Sequence, residues 1–117
     1  MTYVSGATNR LVEPSDSSSL SLIGETATNR IALTTTTLSM ILEESGIKPG
    51  GVDFLNVDCE GLDLRVLKGL DWSRWKPRLV AVETHTQDDF RAVNGFLVPH
   101  GYTCSARVSM TSLFVRA

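Results

Sequence analysis

Two short clusters carry most of the residue types in this chain that can do chemistry, Asp58-Cys59-Glu60 and Glu83-Thr84-His85. Each follows an apolar run: Val52-Asp53-Phe54-Leu55-Asn56-Val57 precedes the first, and Leu79-Val80-Ala81-Val82 the second. Carboxylates and an imidazole held together can accept a proton from a hydroxyl, hold a polar substrate or ligate a metal. In an open α/β sheet, ligands bind just beyond the carboxyl ends of the strands. If the two runs are parallel neighbours, Asp58, Glu60, Glu83 and His85 project to one rim. A plainer use for an acid after a strand is to cap the next helix, and Glu60 is open to that reading. Asp58 is harder to explain so, because an acid closing a buried strand has to be paired or hydrogen-bonded. Asp63 reads as a solvated residue of a first helical turn.

The remaining reactive types have simpler readings. Cys59 precedes a helix, whose N-terminus lowers a thiol pKa, yet no base lies near it in sequence and small buried cysteines beside strands are common. Cys104 sits in a strand, and His100, between Pro99 and Gly101, in a loop. Trp72 and Trp75 flank a helix exit and pack over its end, unless they line an acceptor pocket. There is no Gly-x-Gly-x-x-Gly, no phosphate-binding glycine-rich loop ending in Lys-Ser/Thr, and no closely spaced cysteine pair for zinc.

The elements that must position these groups are regular from Thr37 onward. Thr36 or Thr37 can cap a short helix with Leu38, Ile41 and Leu42 on one face, ended by Gly46 and the turn Pro49-Gly50-Gly51. The run 52–58 has the mostly apolar pattern of a strand buried on both faces. Glu60 and Gly61 lead into a helix with Leu62, Val66, Leu67 and Leu70 as its apolar stripe. A second strand spans 78–83. A helix then starts around Asp88 or Asp89, with Phe90, Val93 and Leu97 on one side and Pro99 as its stop. Residues 102–107 and 112–116 alternate as an antiparallel pair. This order predicts an α/β fold, parallel strands with an antiparallel C-terminal strand pair.

Residues 1–36 differ in character and form a Ser/Thr-rich strand and loop segment, with 37–117 as the regular part of a single structural unit. Ser and Thr supply 14 of the first 37 residues, and such side chains favour caps and turns over helix interiors. Thr2-Tyr3-Val4 and Ile31-Ala32-Leu33-Thr34 read as short strands around a loop at Glu13–Ser19. The whole chain, 117 residues with net charge −2 and 42% hydrophobic residues, is long enough for one small globular domain and excludes disorder. It holds no membrane-length apolar run, its first residues lack the basic-then-apolar layout expected of a secretory signal, and its charge balance gives no footprint for nucleic acid. Two cysteines make no disulfide framework, so a reduced, cytoplasmic setting is expected.

Several of these stretches resemble one family. Thr37-Leu38, then Val52-Asp53-Phe54-Leu55-Asn56-Val57-Asp58-Cys59-Glu60-Gly61 and Val66-Leu67-Lys68-Gly69, are similar to the C-terminal half of FkbM-type methyltransferases. Lys76-Pro77 with Glu83-Thr84-His85 looks like that family's "Lys-Pro…Glu-x-His" strand, Ser112–Arg116 like its last strand, and Ser18-Ser19-Leu20 like a stretch preceding these motifs. Asn56 stands where the family has Lys, and Asp63 where it has Glu.

The resemblance implies a partial Rossmann-like class I fold with helices on both faces. It implies S-adenosylmethionine-dependent O-methylation of a hydroxyl on a sugar, glycan or natural product. Asp58, Glu60 and His85 would then be catalytic, with Asn56 and Glu83 binding the acceptor. The glycine-rich turn that holds most of the cofactor is missing, leaving Asp58 as the one cofactor contact to name, and no metal is assigned. The chain is expected to begin after the family's third strand, as a truncated form. The apolar edge of its strand at 52–58 would then be exposed to a complementing chain or a second copy. Two other readings stand beside this one: a non-catalytic α/β remnant that associates through that edge, and a metal-assisted hydrolase using Asp58, Glu60 and His85.

Overall fold

The computed structural model describes residues 35–117 and the strand Tyr3–Gly6. The elements in chain order are β1 (Tyr3–Gly6), α1 (Leu38–Glu44), β2 (Phe54–Val57), α2 (Asp63–Lys68), β3 (Leu79–Glu83), α3 (Gln87–Leu97), β4 (Tyr102–Val108) and β5 (Thr111–Arg116). They form a mixed α/β unit around a five-stranded sheet of order β1-β2-β3-β5-β4. β1, β2 and β3 are parallel, whereas β5 runs antiparallel to both β3 and β4. The loop at Glu13–Ser19 and the strand expected at Ile31–Thr34 lie outside the described residues.

Local chemistry sets the element ends. Thr37 Oγ1 accepts the amide of Met40 at 3.2 Å, so the expected cap of α1 forms. Gly46 takes φ +75° just past that helix, the left-handed stop that glycine adopts without a Cβ clash. α3 starts at Gln87, one or two residues before the expected position. Thr86 caps it by accepting the amide of Asp89, while the Asp89 carboxylate accepts the amide of Thr86.

One face of the sheet supplies the core. The register aligns Leu55 with Val80 and Phe114, and Val57 with Val82 and Ser112, all buried. Leu38 and Leu42 of α1, Val66 and Leu67 of α2, and Val93 and Leu97 of α3 join these residues in one cluster with Trp72 and Trp75. Among the described residues, then, all three helices contribute to a single core layer. The expectation of helices on both faces extends to residues 7–34, which lie outside the described residues. The three described helices share one face for a topological reason: the chain steps from β2 to β3 without reversing direction, and right-handed crossovers made in one direction stay on one face. β2 is likewise buried on one side, Leu55 and Val57, with Phe54 and Asn56 only half-buried.

The open edge expected for β2 is corrected. Tyr3–Gly6 pairs with it in parallel, Tyr3 opposite Phe54 and Gly6 opposite Val57. Unpaired strand amides and carbonyls are a template for any extended segment, and Tyr3–Gly6 supplies one. Among the described residues, no helix is long and apolar enough to cross a membrane.

Candidate functional site

Because β2 and β3 are parallel and in register, their carboxyl ends bring the two polar clusters to the same rim. Asp58, Glu60 and Glu83 each place a carboxylate oxygen within 4.8 Å of the others. Asp58 and Glu60 are exposed and Glu83 is half-buried. His85 Nε2 lies 3.8 Å from Glu83 Oε1. The four residues therefore lie together at one rim.

The strand-to-helix loop carrying Asp58 and Glu60 is held by a residue that sequence reasoning placed in solvent. Asp63 is only 5% exposed. Its Oδ1 accepts the amide of Cys59 at 2.9 Å and its Oδ2 the amide of Gly61 at 3.2 Å. With both ends tied to one carboxylate, the loop turns sharply. Glu60 sits at φ +48° and Gly61 at φ +93°, the left-handed region that costs a residue with a Cβ about 1 kcal/mol or more. The signal was present: Asp63 stands three, four and seven residues before Val66, Leu67 and Leu70, on the buried face of the helix. Glu60 does not cap α2; its left-handed backbone turns the side chain out to the rim.

The second cluster is pinned from β5. Thr84 is 4% exposed, its amide donates to Met110 O at 2.7 Å, and its hydroxyl lies 3.2 Å from Ser112 Oγ. Glu83 and His85 thus flank a fixed residue. Beside them opens a crevice of about 170 Å³ lined by Gly61, Asp63, Leu64, Glu83, His85 and Asp89, closed by Ala92 and Val93 of α3.

The electrostatics follow from crowding. A hydrogen bond with the Asp58 carboxyl raises the pKa of Glu83 above its ordinary value; desolvation and repulsion from Asp58 and Glu60 add to this, while His85 opposes it. Glu83 thus holds a proton more readily than an isolated glutamate would. The three carboxylates form an oxygen-only donor set, the type preferred by hard divalent cations. Glu83, rather than His85, completes it with Asp58 and Glu60.

Asn56 lies inside β2, two residues before Asp58 and aligned with Ser5 and Ala81. The other candidates fall away from this rim. Cys59 is fully buried and its thiol is pushed up to about 11, mainly by desolvation, which makes it a packing residue. Cys104 is also a free thiol. Trp75 is buried, and Trp72 donates Nε1–H to Leu67 O at 2.8 Å while meeting Tyr102 edge-on and stacking on His100. These indoles close the core beneath α2 rather than line an acceptor pocket.

Comparison with known proteins gives one family. The methyltransferase FkbM domain matches residues 1–104 of the 117, a span that takes in the β1 segment, both polar clusters and the start of β4. No curated protein and no solved structure matches the chain. The match covers well over half of the chain and includes every residue of the acidic rim, so this chain belongs to the FkbM methyltransferase family.

Proposed function

We propose that the chain is an S-adenosylmethionine-dependent O-methyltransferase acting on a hydroxyl of a sugar, glycan or natural product, with its chemistry at the rim formed by β2 and β3. One observation carries the reading: in a chain matched by the FkbM methyltransferase domain, Asp58, Glu60 and Glu83 converge within 4.8 Å and His85 lies beside Glu83. The parallel β2-α2-β3 unit with an antiparallel β4-β5 ending supports assigning the sheet to the Rossmann-like class I architecture.

The donor chemistry of the rim fits part of the cofactor. S-adenosylmethionine carries a sulfonium and an ammonium group, and clustered carboxylates are the natural counterpart of cationic groups. The crevice, about 170 Å³, is smaller than the roughly 300 Å³ at which pockets for whole ligands of that size begin. Asp58 and Glu60, at the rim beside this crevice, would face the charged end, and the described residues do not enclose the nucleoside. When bound, the cofactor supplies an activated methyl group.

What the chain supplies is a fixed acceptor oxygen and a destination for its proton. Asp58, exposed at the strand end, accepts the hydroxyl proton. Glu83, whose own pKa is raised by its hydrogen bond with Asp58 and by the crowding of carboxylates, takes that proton on. His85, exposed beside Glu83, passes the proton to solvent. Asp63 keeps Asp58 and Glu60 at the rim by tying down the loop between β2 and α2.

Isothermal titration with S-adenosylmethionine, followed by transfer assays on hydroxyl acceptors, tests the reading. Heat of binding reduced in Asp58→Ala, with turnover lost in Asp58→Asn, is expected. Absence of binding at millimolar cofactor sinks the proposal for this chain, and full turnover in Asp58→Asn moves the base elsewhere.

A further inference from the structure

The end of the sheet opposite the acidic rim carries the reverse charge. A depression of about 330 Å³ there is lined by Gly50, Val52, Asp53 and Ser73 together with four cations, Arg74, Lys76, Arg78 and Arg116. These four come from separate places in the chain: the turn after α2, the residues leading into β3, and the last residue of β5. The backbone locks the segments together. Asp53 O accepts the amides of Arg78 at 2.8 Å and Leu79 at 3.1 Å, and Arg78 O accepts the amide of Arg116 at 3.1 Å. Arg78 and Arg116 are thereby fixed side by side on the rigid part of the sheet.

Arg74 pairs with Glu43 and lies over the Trp75 ring, 4.4 Å from its centroid. Lys76, Arg78 and Arg116 are exposed and make no ion pair among the described residues. With Arg74 paired to Glu43, three cations, Lys76, Arg78 and Arg116, face one lining carboxylate, Asp53, in a chain whose net charge is −2. Like charges held together on a rigid frame repel unless an anion sits among them. The excess is local and does not come from overall composition.

The geometry points to this depression as a binding site for a compact phosphoryl group, either free phosphate or the phosphomonoester end of a small molecule. Guanidinium forks match phosphate oxygens bidentately, and the lysine adds a point charge. Nucleic acid is the less suitable occupant: its backbone is read by a basic stripe, whereas these cations ring one concavity in an acidic chain. The site is independent of the chemistry proposed for the opposite rim.

Titration of the full chain with inorganic phosphate, with glycerol 3-phosphate and with a short single-stranded oligonucleotide, at constant ionic strength set by chloride, tests this by heat and by 31P resonance. Saturable binding of phosphate or of glycerol 3-phosphate is expected; tighter binding of the ester identifies a small-molecule phosphate as the ligand, and equal or tighter phosphate identifies the free ion. Affinity falls at least tenfold in Arg78→Gln and Arg116→Gln, each with an unchanged melting temperature, and is unaltered in Arg91→Gln on α3. Linear, unsaturable heats overturn the site. So does full affinity in the double variant Arg78→Gln/Arg116→Gln, or oligonucleotide binding without monoester binding.

Discussion

Asp63 offers the sharpest test of how this sequence builds its rim. In Asp63→Ala the buried Cys59 amide loses its acceptor, and such an orphaned donor costs about 1–3 kcal/mol. The Gly61 amide is nearer solvent and can turn to water, so its loss adds about 0.5–1 kcal/mol. Loss of the buried carboxylate returns part of its desolvation penalty, leaving a net destabilisation of about 2–3 kcal/mol. Asp63→Asn keeps one carbonyl oxygen for Cys59 but sets an amide donor against Gly61, so about half that loss is expected. At about 4 °C per kcal/mol for a chain of this size, the alanine variant melts ~10 °C lower. Urea unfolding checks it, with the midpoint moving and the slope unchanged. Methyl transfer is expected to fall in both variants, since Asp58 and Glu60 ride on the loop that Asp63 ties. An alanine variant within about 0.5 kcal/mol of the parent refutes the idea that this carboxylate holds the loop.

Other consequences of the structure are as direct. Glu60→Gly relieves a left-handed backbone and is expected to stabilise by about 1 kcal/mol while abolishing transfer; Ser109→Gly, at φ +57° in the β4–β5 turn, gives the same gain with turnover intact, and an equal effect of both on turnover would argue against Glu60 in the site. The raised pKa of Glu83 makes the folded state take up a proton more readily than the unfolded chain. The stability linked to that proton is present below the ordinary glutamate range and lost as pH rises through the raised value. Glu83→Gln, which removes the repulsion, should therefore raise the melting temperature relative to the parent more at pH 7 than at pH 4; a difference independent of pH counts against the carboxylate pair. Iodoacetamide on the native protein should modify Cys104 and spare Cys59, whose buried thiol titrates near 11; mass spectrometry showing equal labelling would contradict its burial.

The parts of this molecule that were legible in the sequence are those in which one local pattern decides the outcome. Val57 and Val82 end apolar runs and are followed at once by acids, which suffices to place Asp58 and Glu83 at strand ends; the shared direction of β2 and β3 then brings His85 to Glu83. Thr37 announces its helix because a hydroxyl before an apolar stripe has one favourable use. Where two uses compete, sequence alone misleads. Asp63 reads as a surface acid of a first turn, yet it shares the helix face of Val66 and Leu67, and two backbone amides make its burial tolerable. Thr86 and Asp89 form a capping box that the two aspartates at 88 and 89 obscure. The pairing at the edge of β2 was illegible for a different reason: Thr2–Val4 reads as a strand, but Tyr3–Gly6 lies about fifty residues from its partner, and nothing local in either segment marks a parallel pairing at that separation. The same holds for the basic depression. Asp53, Arg74, Arg78 and Arg116 mean nothing in linear order, and acquire a common field only when β3 and β5 set their ends side by side. Charge clusters assembled by topology are thus the class of site that composition hides most completely, since a chain of net charge −2 can still present a positive pole to solvent.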